Sequence, residues 1–186
     1  MKSLSIFTLF AFFAIMIPQT VKAGVLLEPY LGYSVGNIDD DDQMGPSMGL
    51  RAGYSMMGLA VGAEYHTGTW NWDTSSGDVD ATPQDIGAFV SYSLPLMLRF
   101  YGSYYFDSTN ELDNDADQKL TGSAIKLGVG LTTFPLISIN LDYTKYTYDD
   151  CEWNSSAVAQ SGSCSNVYDD FEADMYMISA SLPFNL

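Results

Sequence analysis

Apolar and polar positions alternate with a two-residue period through most of the chain, and no stretch sustains a 3.6-residue period. From residue 25, Val25, Leu27, Leu31, Tyr33 and Val35 share one face, with Pro29 among them; Leu26, Glu28, Tyr30, Gly32, Ser34 and Gly36 take the other. The next runs set Met48, Leu50, Ala52, Tyr54 and Met56 against Arg51 and its small neighbours, then Leu59, Val61, Ala63 and Tyr65 against Glu64 and His66, then Ile86, Ala88, Val90 and Tyr92 against Asp85 and Phe89. Four more runs follow: Leu98, Phe100, Tyr104 and Phe106 opposite Arg99 and Tyr101; Ile125, Leu127, Val129 and Leu131 opposite Lys126; Ile137, Ile139, Leu141 and Tyr143 opposite Asp142; and Tyr176, Ile178, Ala180, Leu182 and Phe184 opposite Met175, Met177, Ser179 and Ser181. Alternation of this kind predicts eight antiparallel strands, each about 9–12 residues long, the length a tilted strand needs to cross a bilayer.

The connections alternate too. Met57-Gly58, Leu94-Pro95-Leu96 and Thr132 to Leu136 are short and uncharged, whereas Asn37 to Gly45, Asn71 to Pro83, Asp107 to Gln118 and Asp149 to Asp170 are expected to be long polar loops. Those four segments hold 17 of the 23 acidic residues and no Lys or Arg. Tight turns at one end and long loops at the other are the pattern of a membrane barrel, with the long loops outside the cell and both termini in the periplasm.

Alternation alone does not say which face meets lipid, because a soluble barrel buries its apolar face. The polar face here is unlike a solvent surface: it carries ten of the sixteen glycines, with Ser and Ala and few charges. Glycine weakens an exposed strand but suits the crowded lumen of a narrow barrel. On the apolar face, Tyr33, Tyr65, Tyr104, Phe106 and Tyr143 lie toward the long-loop ends, and Tyr54, Tyr92 and Phe184 toward the tight-turn ends, as two interfacial girdles. No acidic or basic residue stands between them on that face. The fold expected is therefore all-β: an eight-stranded antiparallel up-and-down transmembrane β-barrel over residues 24–186.

Residues 1–23 are expected to be a cleaved signal peptide: Lys2 precedes an uncharged run from Leu4 to Ile17, Pro18 breaks it, and Val21-Lys22-Ala23 reads as a small-x-small site. The run is too short for a helical span, which needs about 20 residues. Without Lys2 and Lys22, five basic residues face 23 acidic ones. That balance argues against nucleic acid and polyanionic ligands as partners. The only cysteines, Cys151 and Cys164, are expected to form one disulfide inside the fourth long loop in an oxidising compartment.

In Leu27-Glu28-Pro29-Tyr30-Leu31-Gly32-Tyr33 and in the last strand, Tyr176-x-Ile178-x-Ala180-x-Leu182-x-Phe184, the chain resembles the small outer-membrane barrels of the OmpA/OmpX type. The resemblance covers residues 24–186 and implies location in the outer membrane of a Gram-negative bacterium, with membrane lipids, lipopolysaccharide and the barrel-assembly machinery as partners. It also implies an ionic plug. Counted from the tight-turn ends, Glu28, Arg51, Glu64, Lys126 and Asp142 reach nearly one height in the lumen, with Arg99 lower and Asp85 higher. A paired cluster is expected, because lone buried charges are too costly. By that count Arg51 and Lys126 are the only cations at the height of the belt, facing an excess of carboxylates. Tyr30, Phe89, Tyr101, Tyr105 and Tyr146 fill the space around them.

Other chemistry is thinner. Asp113-Asn114-Asp115-Ala116-Asp117 begins like a calcium-binding loop, but Gln118 replaces the glycine and Ala124 the closing glutamate, leaving at most weak association of divalent cations with the acidic loops. His66, the single histidine, has no flanking serine and points into the lumen, so no catalytic triad is expected. The reading is a monomeric, non-enzymatic structural or surface-interaction barrel with a plugged lumen and no cofactor. A narrow pore or hydrophobic-solute channel is the alternative, and a lipid-modifying enzyme stands third.

Overall fold

The computed structural model describes residues 23–38, 41–74, 77–95, 97–113, 118–134, 136–155, 158–163 and 172–186. The strands are β1 (Gly24–Ile38), β2 (Asp41–Met56), β3 (Leu59–Gly68), β4 (Trp70–Thr74), β5 (Gly77–Ser93), β6 (Leu98–Asp113), β7 (Gln118–Phe134), β8 (Ile137–Ser155), β9 (Val158–Ser163), β10 (Glu172–Ser181) and β11 (Phe184–Asn185). β4 continues β3 beyond Thr69, and β11 continues β10 beyond Leu182-Pro183, so the ring has eight staves; β9 pairs along the end of β8. Each stave is antiparallel to its neighbours, and β1 pairs with both β2 and β10, which closes the sheet.

The closure is staggered. Paired residues followed once round the ring run from Ile139 through Ala180, Leu31, Met48, Thr67, Gln84, Thr109 and Thr121, and return to β8 at Asp150 instead of Ile139. Such a shift requires tilted strands, the geometry of a closed barrel. The start of β1 and the end of the last stave meet at the tight-turn end, where Val25 and Leu186 exchange backbone hydrogen bonds of 3.1 and 2.9 Å. Met57 (φ 51°) and Gly58 (φ 84°) form the two-residue turn between β2 and β3, both left-handed as a type I′ hairpin requires.

Over the lower part of every stave the outward face is apolar. Leu31 and Ile178 are each 61% exposed, and Tyr33, Tyr54, Tyr65, Tyr92, Tyr104 and Phe106 stand outward at the two ends of this band. The inward face holds Glu28, Arg51, Glu64, Asp85, Arg99, Lys126 and Asp142, all buried. Lipid on the outside and polar groups inside are what a spanning barrel demands, since its backbone is satisfied entirely by the ladder.

One expectation is corrected. The segments taken as long loops are mostly strand: β1 and β2 run to within two residues of each other, β4 and β5 form a paired hairpin from Trp70↔Ala81 to Thr74↔Gly77, and β6, β7 and β8 continue to Asp113, from Gln118, and to Ser155. Alternation persists there with its sense reversed. Ile38, Trp70, Ala81, Leu112, Leu120, Tyr148, Ala173 and Met175 point inward as an apolar core, while Asp42, Asp80, Asp107, Glu111, Asp149, Glu152 and Glu172 are exposed. The upper third is thus patterned like a water-soluble barrel. Acidic side chains on an outward face disguise a strand as a loop when apolar residues are assumed to face out.

Cys151 is buried and disulfide-bonded. Cys164 lies outside the described residues, as do residues 1–22 of the signal peptide expected over residues 1–23, Asp39, Asp40 and residues 114–117.

Candidate functional site

The register assembles the charged cluster. Glu28 on β1 lies directly opposite Arg51 on β2, and Arg51 opposite Glu64 on β3. Three neighbouring staves therefore present acid, base and acid side by side on the lumen face, where cross-strand pairs are closest. Arg51 Nη1 stands 3.4 Å from Glu28 Oε1 and its Nε 3.3 Å from Glu64 Oε1. From the opposite wall, Lys126 Nζ on β7 reaches Glu64 Oε1 at 3.0 Å. Tyr30 donates to the same oxygen at 2.7 Å, and Ser103 donates to the other.

Arg99 is where the structure departs from the reading by height. Its Nη1 and Nη2 donate to Glu28 Oε2 and Oε1 at 2.7 and 2.6 Å, the two-pronged pairing that suits guanidinium to carboxylate. Nη2 also donates to Asn140 Oδ1 at 3.0 Å. Position along a strand underestimates such a residue, because an arginine side chain spans several ångströms of lumen. With Arg99 included, three cations face three carboxylates, so the supposed carboxylate excess at the belt disappears. Asp142 completes the set by accepting from Tyr101 on β6.

Aromatic rings fill the spaces between the charges. The Arg51 guanidinium lies 4.1 Å from the Tyr101 ring centre and 4.8 Å from that of Tyr30, and Lys126 Nζ lies 5.1 Å from Tyr105. Cations over such faces are held further by the ring quadrupole. Both rings need bare backbone beside them. Gly49 lies opposite Tyr30 and Gly128 opposite Tyr101, and a Cβ at either would overlap the phenol.

Asp85 does not join this belt. One turn of the lumen higher it forms its own group: His66 Nδ1 is 2.7 Å from Asp85 Oδ2, Tyr146 donates to that oxygen at 3.0 Å, and Ser108 donates to Oδ1 at 2.5 Å. His66 also stacks on Tyr30 at 6.3 Å and touches Trp70 and Tyr105. The carboxylate sits between the serine and the histidine, so the histidine cannot take the serine's proton, and the arrangement lacks the order a nucleophilic triad needs. Above it begins the apolar core, into which Trp70 and Tyr146 pack edge to face.

Parity along the strands, read from the sequence, identifies the lumen residues, and it already places Tyr30 and Tyr101 there. The roles of Ser103, Ser108 and Asn140 escape it, because a lumen serine or asparagine has no distinguishing signal until the opposite wall is known. Among the described residues no group of three or more His, Cys, Asp or Glu side chains is placed to hold a metal ion.

No protein-family model matches the sequence, and no curated protein matches it. Solved structures do. Ail, the attachment invasion locus protein of Yersinia pestis, matches with a TM-score of 0.56 at 14% identity, covering 88% of this chain and 100% of that one. OprG of Pseudomonas aeruginosa matches with a TM-score of 0.55 at 13% identity, over 91% and 100%. Neisserial surface protein A matches with a TM-score of 0.53 at 16% identity, over 88% and 99%. The chain has the fold of the small outer-membrane β-barrels.

Proposed function

We propose that this protein is a non-enzymatic surface barrel of a Gram-negative outer membrane, non-conducting, with its termini in the periplasm and its acidic strand ends outside the cell. The observation that supports the reading is the stacking of two filled layers in the lumen. The ion-paired belt joins side chains from opposite walls, and the apolar core around Trp70 lies directly above it. An ion crossing the barrel would have to break paired charges and then pass a tightly filled layer dominated by apolar side chains around Trp70, both costly steps.

The outward face above the upper girdle is acidic, with Asp42, Asp80, Glu111, Glu152 and Glu172 exposed. Ail has been crystallised with the heparin analogue sucrose octasulfate. A sulfated polyanion is repelled by the charge carried here, so the external partner fitting this surface is cationic or neutral. Planar-bilayer recording of the purified, refolded chain tests the reading. A silent barrel that shifts on heating in gels is expected; steady single-channel steps in the unmodified protein would give the narrow-pore alternative precedence.

A further inference from the structure

The tight-turn end of the barrel is apolar below its lower aromatic girdle, where a water-facing rim would be polar. Met97 in the β5–β6 turn and Leu136 in the β7–β8 turn are 52% and 58% exposed. Residues 86–98 and 127–141, which contain these turns, hold no Asp, Glu, Lys, Arg or His. The two turns are neighbours on the ring, because β6 pairs with β7 down to Leu98↔Leu131. A contiguous exposed apolar patch of this kind marks a surface that something covers.

Two further observations say what the cover is. First, backbone groups of the rim bond to one another. Thr132 N of one turn donates to Met97 O of the other at 2.8 Å, and Leu94 N donates to Leu98 O at 2.7 Å. Ser93 N donates to Gly58 O of the β2–β3 turn at 2.7 Å. Turns in water can leave such groups to solvent, whereas hydrocarbon requires them to be paired. Second, the apolar run on these staves is short. On β5 it extends outward from Ile86 to Tyr92 with exposed Gln84 above it, and on β8 from Ile137 to Tyr143 with Lys145 above it. At about 3.3 Å per residue and a tilt of about 40°, each run rises roughly 15 Å. The apolar band of an outer-membrane barrel is about 25 Å tall. Polar side chains bound these runs above, so the missing height lies below Tyr92 and Ile137, in the turns.

We propose that the β5–β6 and β7–β8 turns are immersed in the membrane leaflet at their end of the barrel, with Met97 and Leu136 against phospholipid acyl chains. Continuity decides for lipid over a soluble partner: exposed Phe100, Leu131 and Ile137 join the turns to the lipid-facing band without a charged side chain between. The β2–β3 turn is a two-residue hairpin whose tip, Met57, reaches the headgroups. The barrel therefore ends within the leaflet on this side, which leaves the acidic strand ends as the surface offered to soluble partners. Which leaflet holds the rim rests on the orientation proposed above; immersion itself depends neither on that orientation nor on whether the lumen conducts.

Fluorescence quenching in phosphatidylcholine nanodiscs, which leave both faces open to solutes, tests this. Met97→Cys, Leu136→Cys and, as reference at the acidic end, Glu111→Cys are labelled with an environment-sensitive fluorophore without reductant, so that disulfide-bonded Cys151 stays protected. A heat-shift gel confirms that each has folded. Labels at 97 and 136 should be quenched by brominated acyl chains and several-fold less than the label at 111 by iodide. A label-free measurement guards against the dye drawing the turn into lipid: Leu136→Asp should lower the folded-to-unfolded ratio about ten-fold in urea titrations in phospholipid vesicles, since an immersed leucine is worth at least that much. Iodide quenching at 97 and 136 equal to that at 111 would put the rim in water. Protection from iodide without quenching by brominated chains would mean that a protein, such as a second copy, is seated there. Either result, or unchanged stability in Leu136→Asp, would overturn the proposal.

Discussion

Glu28 is held by two arginines of unequal geometry. Arg99 makes two bonds of 2.6 and 2.7 Å, and Arg51 a single contact of 3.4 Å. If Arg51 is removed, Glu28 keeps Arg99, and Glu64 keeps Lys126, Tyr30 and Ser103. If Arg99 is removed, Glu28 keeps only the long Arg51 contact and the hydroxyl of Ser181. Arg99→Ala should therefore destabilise by about 3–5 kcal/mol, the range for breaking a buried pair. Arg51→Ala should cost about 1–3 kcal/mol. Urea unfolding in detergent micelles followed by tryptophan fluorescence would rank the two, and a larger loss for Arg51 would contradict the geometry. The sequence makes the opposite order look natural, because Arg51 shares a height with Glu28 while Arg99 sits near the end of its strand. Membership of the belt is legible from parity, but reach across the lumen is not: it depends on strand tilt and on which staves face each other, neither of which is written in local pattern.

At the scale of elements, the staves were legible wherever apolar residues face lipid and illegible where the pattern inverts. Tyr33 and Val35 announce β1, yet Ile38 belongs to the same strand as an inward residue, and Asp42 to the next strand as an outward one. No single-strand rule assigns both senses without knowing where the lipid ends. Two local features of these elements have measurable consequences. Gly128 on β7 admits the Tyr101 ring, so Gly128→Ala should displace the phenol from Asp142 and cost about 1–3 kcal/mol by overpacking. Unfolding midpoints would show this, and a neutral outcome would mean that the ring has room to move. In the β2–β3 turn, Met57 holds a left-handed φ of 51° that asparagine tolerates better. Met57→Asn should raise stability by up to about 1 kcal/mol in the same assay, and a lowered midpoint would show that the exposed methionine contributes contacts of its own.

Across the whole molecule, the barrel changes polarity once along its axis, and His66 marks the level. Below it, charges face inward and apolar residues outward; above it, Trp70, Leu112 and Leu120 face inward and acidic residues outward. His66 bridges the two, bonded to Asp85 and ringed by Tyr30, Tyr105 and Trp70. In the closed lumen proposed above, the inversion would set two barriers in series, with different chemistry and different residues. Resistances in series make single breaches ineffective. Arg99→Ala opens only the belt and leaves the apolar core in place, while Trp70→Ala leaves a large cavity, at a cost of about 3–5 kcal/mol, above a belt whose charges remain paired. Each single variant should stay electrically silent in planar bilayers. The double variant should conduct, with preference for cations, because losing Arg99 leaves the belt with an excess of carboxylate. Steady current through either single variant would show that one layer alone seals the barrel; silence in a double variant that still shifts on heating would show that further side chains close the lumen without help from these two.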